Sequence, residues 1–185
     1  MKLLVIIATI LSSFLTNLET KTLQSGFTVT VSETANAPMN FPGSIVMCGD
    51  KFRLEMLDLN AAYDGQTMYM YSRQTDELTL TNPARQELIE TNPFLYAKTM
   101  VDVCNVAERT DGEQTVVTLT PFNQAAGINR FVLRLRTADL MPLQLEIKEG
   151  NKISVLKMKE PKFVSEQPSY TLTPGKDTFV NDMRL

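Results

Sequence analysis

The sequence predicts an α+β fold dominated by one long antiparallel sheet. Along much of the chain, apolar and polar residues alternate, which is the period of a strand with one buried face. Asp-Gly and Gly-Asn dipeptides such as Asp64-Gly65 separate several of these segments, and glycine tolerates the positive φ that tight hairpin turns need. Two Asn-Pro dipeptides interrupt the strands in the middle of the chain and predict short helices there.

The alternation is clearest in three segments, where arginine, lysine and glutamate separate the apolar positions. A shift of one residue in register would turn the whole apolar set to solvent, so we expect all of it on one buried face. The set consists of Phe52, Leu54, Met56, Phe131, Leu133, Leu135, Leu143, Leu145 and Ile147. The opposite positions, among them Arg53 and Arg134, are expected to face solvent.

Strands are predicted in order by β-branched or alternating segments between turn residues. They cover residues 27–31, 44–48, 51–56, 67–72, 77–81, 105–109, 115–120, 130–136, 143–148 and 153–158. Residues 36–42 contain two prolines and are predicted as a loop. A sheet of about nine or ten strands must curl to hide its apolar face, by closing into a barrel or by bending around helices.

The two helices are predicted after Asn82-Pro83 and Asn92-Pro93, over residues 84–90 and 94–101. Each dipeptide offers an N-cap side chain followed by a proline in the first helical position. Their apolar faces are formed by Leu88, Ile89, Phe94, Leu95 and Met100. We expect these helices to act as a lid on the apolar face of the sheet.

Residues 1–20 have two interpretations. Lys2 followed by the apolar run over residues 3–15 is typical of a secretory signal peptide, with the mature chain starting between about Ser13 and Lys21. Alternatively, the helical spacing of Ile7, Leu11, Phe14 and Leu18 predicts a retained amphipathic helix that lies on the sheet. Residues 21–185 form a single domain in either case.

Composition excludes several classes of function. The 185-residue chain has a net charge of −3 and no basic cluster, which argues against a nucleic-acid partner. It has no histidine, so Ser-His and Cys-His nucleophile pairs are excluded and the commonest metal ligand is missing. Paired acids such as Glu87 with Glu90 or Asp58 with Asp64 are better explained as surface charges than as a glycosidase site. We predict no catalytic residue, no metal and no cofactor.

The cysteines, methionines and tyrosines are less informative about the binding site. Cys48 and Cys104 either pair or remain buried thiols, and we favour the thiols. Ten methionines suit a pocket that adapts to flexible ligands, although methionine also fills ordinary core gaps. Tyr69 and Tyr71 share one strand face and either form part of a pocket rim or pack as exposed cross-strand pairs.

In several short segments, taken in order, the chain resembles the LolA-like family of periplasmic carriers of outer-membrane lipoproteins. The resemblance covers residues 27–184. It rests on Gly43-Ser-Ile-Val, Asp50-Lys-Phe-Arg-Leu-Glu, Tyr63-Asp-Gly-Gln-Thr-Met-Tyr-Met-Tyr, Asn92-Pro-Phe, and a C-terminal part with Thr171-Leu-Thr-Pro and Asp182-Met-Arg184. It implies an unclosed barrel of about 10–11 strands with helices over its concave hydrophobic face.

The resemblance also implies a function and some site residues. The family shields lipoprotein acyl chains in its hollow and passes them from an inner-membrane transporter to an outer-membrane acceptor. Phe52 corresponds, within one residue, to a phenylalanine of the family's cavity. Our candidate lipid-binding cavity consists of the nine apolar sheet residues given above, from Phe52 to Ile147, together with Tyr69 and Tyr71. The family's arginine near this point, implicated in lid closure and transfer, has no counterpart, because Cys48, Gly49 and Asp50 occupy that stretch.

We therefore expect an exported, monomeric carrier in the periplasm of a Gram-negative bacterium that binds lipoprotein acyl chains or another lipid. Its partners, by resemblance, are the inner-membrane lipoprotein-releasing transporter and the outer-membrane acceptor. Two alternatives remain: an envelope sensor or regulatory module of the same shape, and a generic lipid-binding protein. A sensor of this shape would need a second domain or a membrane segment to pass on its signal.

Overall fold

A computed structural model describes residues 9–33, 36–123 and 127–184 of the chain. The helices are α1 Thr9–Thr20, α2 Arg85–Thr91 and α3 Phe94–Met100, and the last is followed by a short 3-10 turn, Val101–Val103. The strands before α2 are β1 Thr22–Glu33, β2 Asn36–Cys48, β3 Lys51–Met56, β4 Leu59–Tyr63, β5 Met68–Ser72 and β6 Glu77–Thr81. Those after α3 are β7 Cys104–Asp111, β8 Gln114–Pro121, β9 Ile128–Arg136, β10 Pro142–Glu149, β11 Lys152–Val164 and β12 Phe179–Asp182.

All twelve described strands belong to one sheet, in the order β12-β6-β5-β4-β3-β2-β1-β11-β10-β9-β8-β7. Every neighbouring pair is antiparallel except β12 with β6, which is parallel. β7 and β12 form the two ends of the order and do not pair with each other, so the sheet is an unclosed barrel. The predicted fold class is confirmed.

The alternation also has the predicted orientation. Phe52 and Leu133 are fully buried, whereas the side chains of Arg53 and Arg134 keep 39% and 33% of their surface exposed. Strand pairing explains the agreement, because Leu133 lies opposite Leu145 and the two share the inner face.

Residues 36–42, β4 and β12 were not predicted as strands, and β1 and β11 extend beyond their predicted bounds. Residues 36–42 continue β2 instead of forming a loop, and here β2 pairs with β1 alone, because β3 joins β2 only from Gly43 onward. A strand with one free side tolerates prolines, which lack the N–H of a ladder bond. β4 follows a tight turn at Leu57, whose φ of 52° occurs without the usual glycine. β12 is a four-residue edge strand with no alternating signal.

A hairpin forms at Asp64-Gly65, but its loop is longer than that of a two-residue primed turn. Tyr63 pairs with Met68, so four residues form the loop. The Asp64 carboxylate accepts the N–H groups of Gln66 and Thr67 at 2.9 and 2.8 Å. These bonds lower the pKa of Asp64 although its partial burial alone would raise it.

Both central helices form close to their predicted positions. The first begins at Arg85, because Ala84 is its N-cap and the N–H of Ala84 bonds to the Glu87 carboxylate at 2.7 Å. Asn82 is therefore not the cap that was predicted. In the second, the side chain of Asn92 accepts the N–H of Phe94 at 3.2 Å. That asparagine is fully buried.

α1 lies over the concave face and contributes three side chains to the core, Leu11, Phe14 and Leu18, which are at most 4% exposed. Phe14 packs against Phe94 of α3 with ring centroids 6.3 Å apart. The fourth member of the predicted apolar face, Ile7, lies outside the described residues. Whether residues 1–20 are cleaved stays a prediction.

The convex face is partly covered as well. Between β11 and β12 the chain contains Tyr170, which is 7% exposed, and burial raises the pKa of its hydroxyl. Leu78 and Leu80 of β6 are buried but do not belong to the concave core. Cys48 and Cys104 are both free thiols, half-buried and buried respectively.

Candidate functional site

An apolar hollow of about 870 Å³ lies between the concave face and the helices α2 and α3. Its wall is formed by side chains of β1, β3, β4, β5 and β8 to β11, and its cover by the two helices. The apolar lining consists of Phe27, Val29, Leu54, Met56, Leu59, Met70, Ile89, Pro93, Tyr96, Met100, Pro121, Ile128, Ile147 and Leu156. The volume falls within the range of about 300–1,000 Å³ that is usual for small-molecule sites.

Five of the predicted site residues line this hollow. They are Leu54, Met56, Ile89, Met100 and Ile147. Met56, Met100 and Ile147 keep part of their surface exposed, as residues of an open cavity should.

Most of the other predicted residues belong to the closed core and not to the hollow. They are Phe52, Phe131, Leu133, Leu135 and Leu145 on the sheet and Leu88, Phe94 and Leu95 on the helices. The reason is that α1 and α3 cover this part of the concave face. Tyr96 of α3, for example, stacks on Phe131 with centroids 5.2 Å apart.

Three predicted cavity residues lie elsewhere. Tyr69 and Tyr71 alternate with Met68 and Met70, which pack on the concave core, so both tyrosines are on the convex face. Their hydroxyls bond to Asp64 and Asp76. Leu143 is half-buried and lies at a bulge where the register shifts between Pro142 and Gln144. Pro142 takes the inner position opposite Leu135 instead.

The sequence analysis missed Phe27, Val29 and Leu156, which form the floor of the hollow. Their strands had been predicted, and the alternation of β1 and β11 would have placed them on the inner face. Gly43 was quoted only as a motif residue, and its role is steric. A methyl group there would overlap the Phe27 ring and lie 2.5 Å from the carbonyl oxygen of Glu55.

The mouth of the hollow is polar. It is bordered by exposed side chains of α2, of the β8–β9 connection and of the β10–β11 turn. These are Gln86, Glu87, Glu90, Asn123, Glu149 and Lys152. Inside, Tyr96 is 5% exposed, and its hydroxyl makes no hydrogen bond of ordinary geometry.

Burial raises the pKa of Tyr96 to about 12, with smaller contributions from the neighbouring Cys104 thiol and the negative charge of Glu149. Burial also raises the pKa of Cys104. Both groups are therefore protonated at neutral pH, and neither is an activated nucleophile.

The cover is attached to the β2–β3 turn by an ionic cluster. The Asp50 carboxylate lies 3.0 Å from Arg85 of α2 and 2.8 Å from Lys98 of α3, and Lys98 also pairs with Glu19 of α1. Partial burial alone would raise the pKa of Asp50, but the hydrogen bonds and charges of its two partners outweigh it and hold the pKa below its usual value. The cluster joins all three helices to one turn of the sheet.

A second cavity of about 680 Å³ lies on the convex face, beneath the segment that leads to β12. Arg53, Asn60, Tyr71 and Asp76 form its sheet side. Its lining is mainly polar, whereas that of the concave hollow is mainly apolar.

Across 9–33, 36–123 and 127–184, no three acidic or cysteine side chains lie close enough together to hold a metal ion. Of the helices within these ranges, none has both the length and the apolar character needed to cross a membrane. The arrangement is suited to holding an apolar ligand.

Comparison with known proteins establishes the fold. The chain is similar to an uncharacterized conserved protein from Thermus thermophilus, with a TM-score of 0.62 and 15% identity over 95% of this chain and 98% of that one. It is also similar to MucB in the Pseudomonas aeruginosa MucA/MucB complex, with a TM-score of 0.52 and 14% identity over 86% of this chain. The aligned part is 57% of the MucB chain.

A LolA superfamily protein from Nitrosomonas europaea also aligns, over 88% of this chain and 94% of that one, with a TM-score of 0.43 and 8% identity. At this score the likeness carries no further conclusion. Neither the family models nor the curated protein sequences match the chain. The likenesses therefore concern the fold and leave the activity open.

Proposed function

We propose that the protein is a periplasmic carrier that holds the acyl chains of a lipoprotein or another lipid in its concave hollow. The acyl chains would lie on Phe27, Val29 and Leu156 and beneath the cover formed by α2 and α3. No bond is made or broken in this function. The hollow shields hydrocarbon from water between two membranes.

The observation that carries the proposal is the hollow itself. An apolar cavity of about 870 Å³ that is open to solvent is unusual in a protein interior, which is normally close-packed. Exposed apolar surface of this kind marks a site for an apolar partner. Met56, Met70 and Met100 line it, and flexible thioethers adapt to chains of different shape.

The periplasmic location and the transfer partners rest on the sequence resemblance to the LolA-like family. The unclosed barrel with helices over its concave face is the architecture which that resemblance implies. An inner-membrane lipoprotein-releasing transporter and an outer-membrane acceptor are accordingly the partners to test first.

The binding part is tested with the fluorescent apolar probe N-phenyl-1-naphthylamine. We expect micromolar binding and displacement by a triacylated peptide, because burying each methylene contributes about 0.8 kcal/mol before ordering costs. Ile147→Glu places a charge in the hollow and should abolish most of the binding.

The matched control is Ile153→Glu. Ile153 is also half-buried, but it lies on the opposite face of the sheet, because Ile147 is inside and Ile153 pairs with its neighbour Lys148. Equal probe affinity in folded Ile147→Glu and wild-type protein would place the binding site elsewhere.

The second candidate function is a regulatory module that binds another protein. It is favoured by the structural similarity to MucB, which has been solved in complex with MucA. A vesicle assay separates the two functions: a carrier speeds the movement of a fluorescent acylated peptide from donor to acceptor vesicles in proportion to its concentration. A regulatory module binds the peptide without speeding its transfer.

A further inference from the structure

The mouth of the hollow carries an excess of negative charge. Of the described residues that line the hollow, Glu87, Glu90 and Glu149 are acidic and Lys152 alone is basic. All four are exposed, so an amphiphile with its chain in the hollow would place its polar end among them.

The local contacts leave most of this charge uncompensated. Glu90 accepts a hydrogen bond from the Gln86 amide at 3.0 Å, and Glu87 accepts one from the backbone of Ala84 at 2.7 Å. Both donors are uncharged. Lys152 lies 3.8 Å from Glu149 and compensates the negative charge of that carboxylate only. Two negative charges therefore remain at the mouth.

A second observation concerns the interior. Tyr96 also lines the hollow, and its buried hydroxyl lies next to the Cys104 thiol. The charge of Glu149 reaches this hydroxyl, so the negative field of the mouth extends into the hollow.

We infer that the hollow selects its ligand by the charge of the polar end: it takes uncharged acyl esters or amides and cationic amphiphiles, and it disfavours free fatty-acid anions. The inference rests on the proposed function, because it requires a chain in the hollow. It names the class of ligand that the site accepts. Acyl chains of lipoproteins and of glycerolipids share this uncharged ester or amide chemistry.

The test compares three competitors with the same twelve-carbon chain, namely dodecanoate, methyl dodecanoate and dodecyltrimethylammonium. Each displaces N-phenyl-1-naphthylamine, an uncharged probe, below the micelle concentration. At low salt we expect dodecanoate to bind about 25-fold more weakly than the cation, since two charges at about 8 Å in water weaken the anion and strengthen the cation by roughly a factor of five each. In 0.5 M salt the ratio should shrink below about threefold.

The variant for this test is Glu90→Gln combined with Glu149→Gln, which should bring together the three affinities, each expressed relative to that of the uncharged probe for the same variant. Glu87 is left intact because it caps α2. Glu166→Gln is the control, since Glu166 is an exposed acid that does not line the hollow. It should leave the order of affinities unchanged.

The outcomes separate the two proposals. If the uncharged probe does not bind wild-type protein at all, the proposed function fails. If the probe binds but dodecanoate competes as well as the cation at low salt, the charge selection is wrong and the carrier function stands.

Discussion

The Nζ atom of Lys98 lies 2.8 Å from a carboxylate oxygen of Asp50, and this pair joins α3 to the turn between β2 and β3. Arg85 of α2 bonds to the other oxygen of the same carboxylate at 3.0 Å. One acid on the sheet therefore attaches both helices of the cover.

We predict that Asp50→Asn lowers the free energy of unfolding by about 1 kcal/mol at pH 7. The pairs are more than a third exposed, and exposed ion pairs contribute about 0.2–1 kcal/mol each. Urea unfolding measures the change. Asp58→Asn, in the exposed turn between β3 and β4, is the control and should change stability by less than about 0.5 kcal/mol.

The contribution of this cluster depends on pH in a definite direction. The pKa of Asp50 is below its ordinary value of 3.8, so its stabilisation is present above that value and is lost as the pH falls through the lowered pKa. Burial alone would lower the pKa of Lys98, but its bonds to Asp50 and Glu19 raise that pKa above 10.5. The contribution of Lys98 to stability is therefore lost only at higher pH. The stability difference between wild type and Asp50→Asn should be constant from about pH 5 to pH 9 and shrink below pH 3. A difference that grows in acid would contradict the assignment.

Gly43→Ala should destabilise the protein by about 1–3 kcal/mol, the usual cost of overpacking. The added methyl group would meet both the Phe27 ring and backbone, and backbone cannot rotate away. Gly26→Ala is the matched control on the neighbouring strand, where the nearest atom would lie at an ordinary 3.5 Å. Thermal unfolding of both variants checks the prediction, and equal losses would show that the contact with Phe27 is not the cause.

Phe52 should behave as a core residue and not as a cavity residue. Its side chain is fully buried and packs near Tyr63 with centroids 6.2 Å apart. Phe52→Ala should therefore cost about 3–5 kcal/mol of stability, while the remaining folded protein binds the apolar probe with nearly unchanged affinity. A stable Phe52→Ala protein with lost probe binding would place Phe52 in the site, as the family resemblance implies.

The sequence predicted the inner face well but the hollow poorly, for a physical reason. Alternation reports which side of a strand is buried, and Phe52, Leu133 and Leu145 are indeed inside. It does not report how far a covering helix extends along that face, which decides whether an inner residue lies in the core or in an open cavity. Ile147 lines the hollow, whereas Leu145, two residues earlier on the same face of β10, lies in the core.

The strands that were not predicted from the sequence have local explanations. Leu57 adopts a positive φ without glycine, so the turn before β4 carried no signal. The prolines of residues 36–42 normally mark loops and are tolerated here only because β3 does not reach that far. Tyr69 and Tyr71 were included in the candidate cavity because of their residue type. Their alternation with Met68 and Met70 would have assigned them to the convex face.

The last prediction concerns α1 and distinguishes the two interpretations of residues 1–20. Phe14 is fully buried against Phe94, and the N–H of Leu11 bonds to the Glu108 carboxylate of β7 at 2.8 Å. If the segment stays in the mature protein, Phe14→Ala should lower the free energy of unfolding by about 3–5 kcal/mol.

If the segment is a signal that is cleaved after Phe14, the Phe14→Ala gene yields a mature protein with the same intact mass and the same stability as wild type. Thr16→Ala is the control, because Thr16 is exposed on the same helix and its loss should be small in either case. Mass spectrometry of protein purified from the cell envelope decides first, and urea unfolding then checks the packing. A full-length product confined to the cytoplasm would remove the carrier function, because the acyl chains of lipoproteins are handed over only outside the inner membrane. If the product in the envelope is full-length and Phe14→Ala leaves its free energy of unfolding unchanged, α1 does not pack on the sheet.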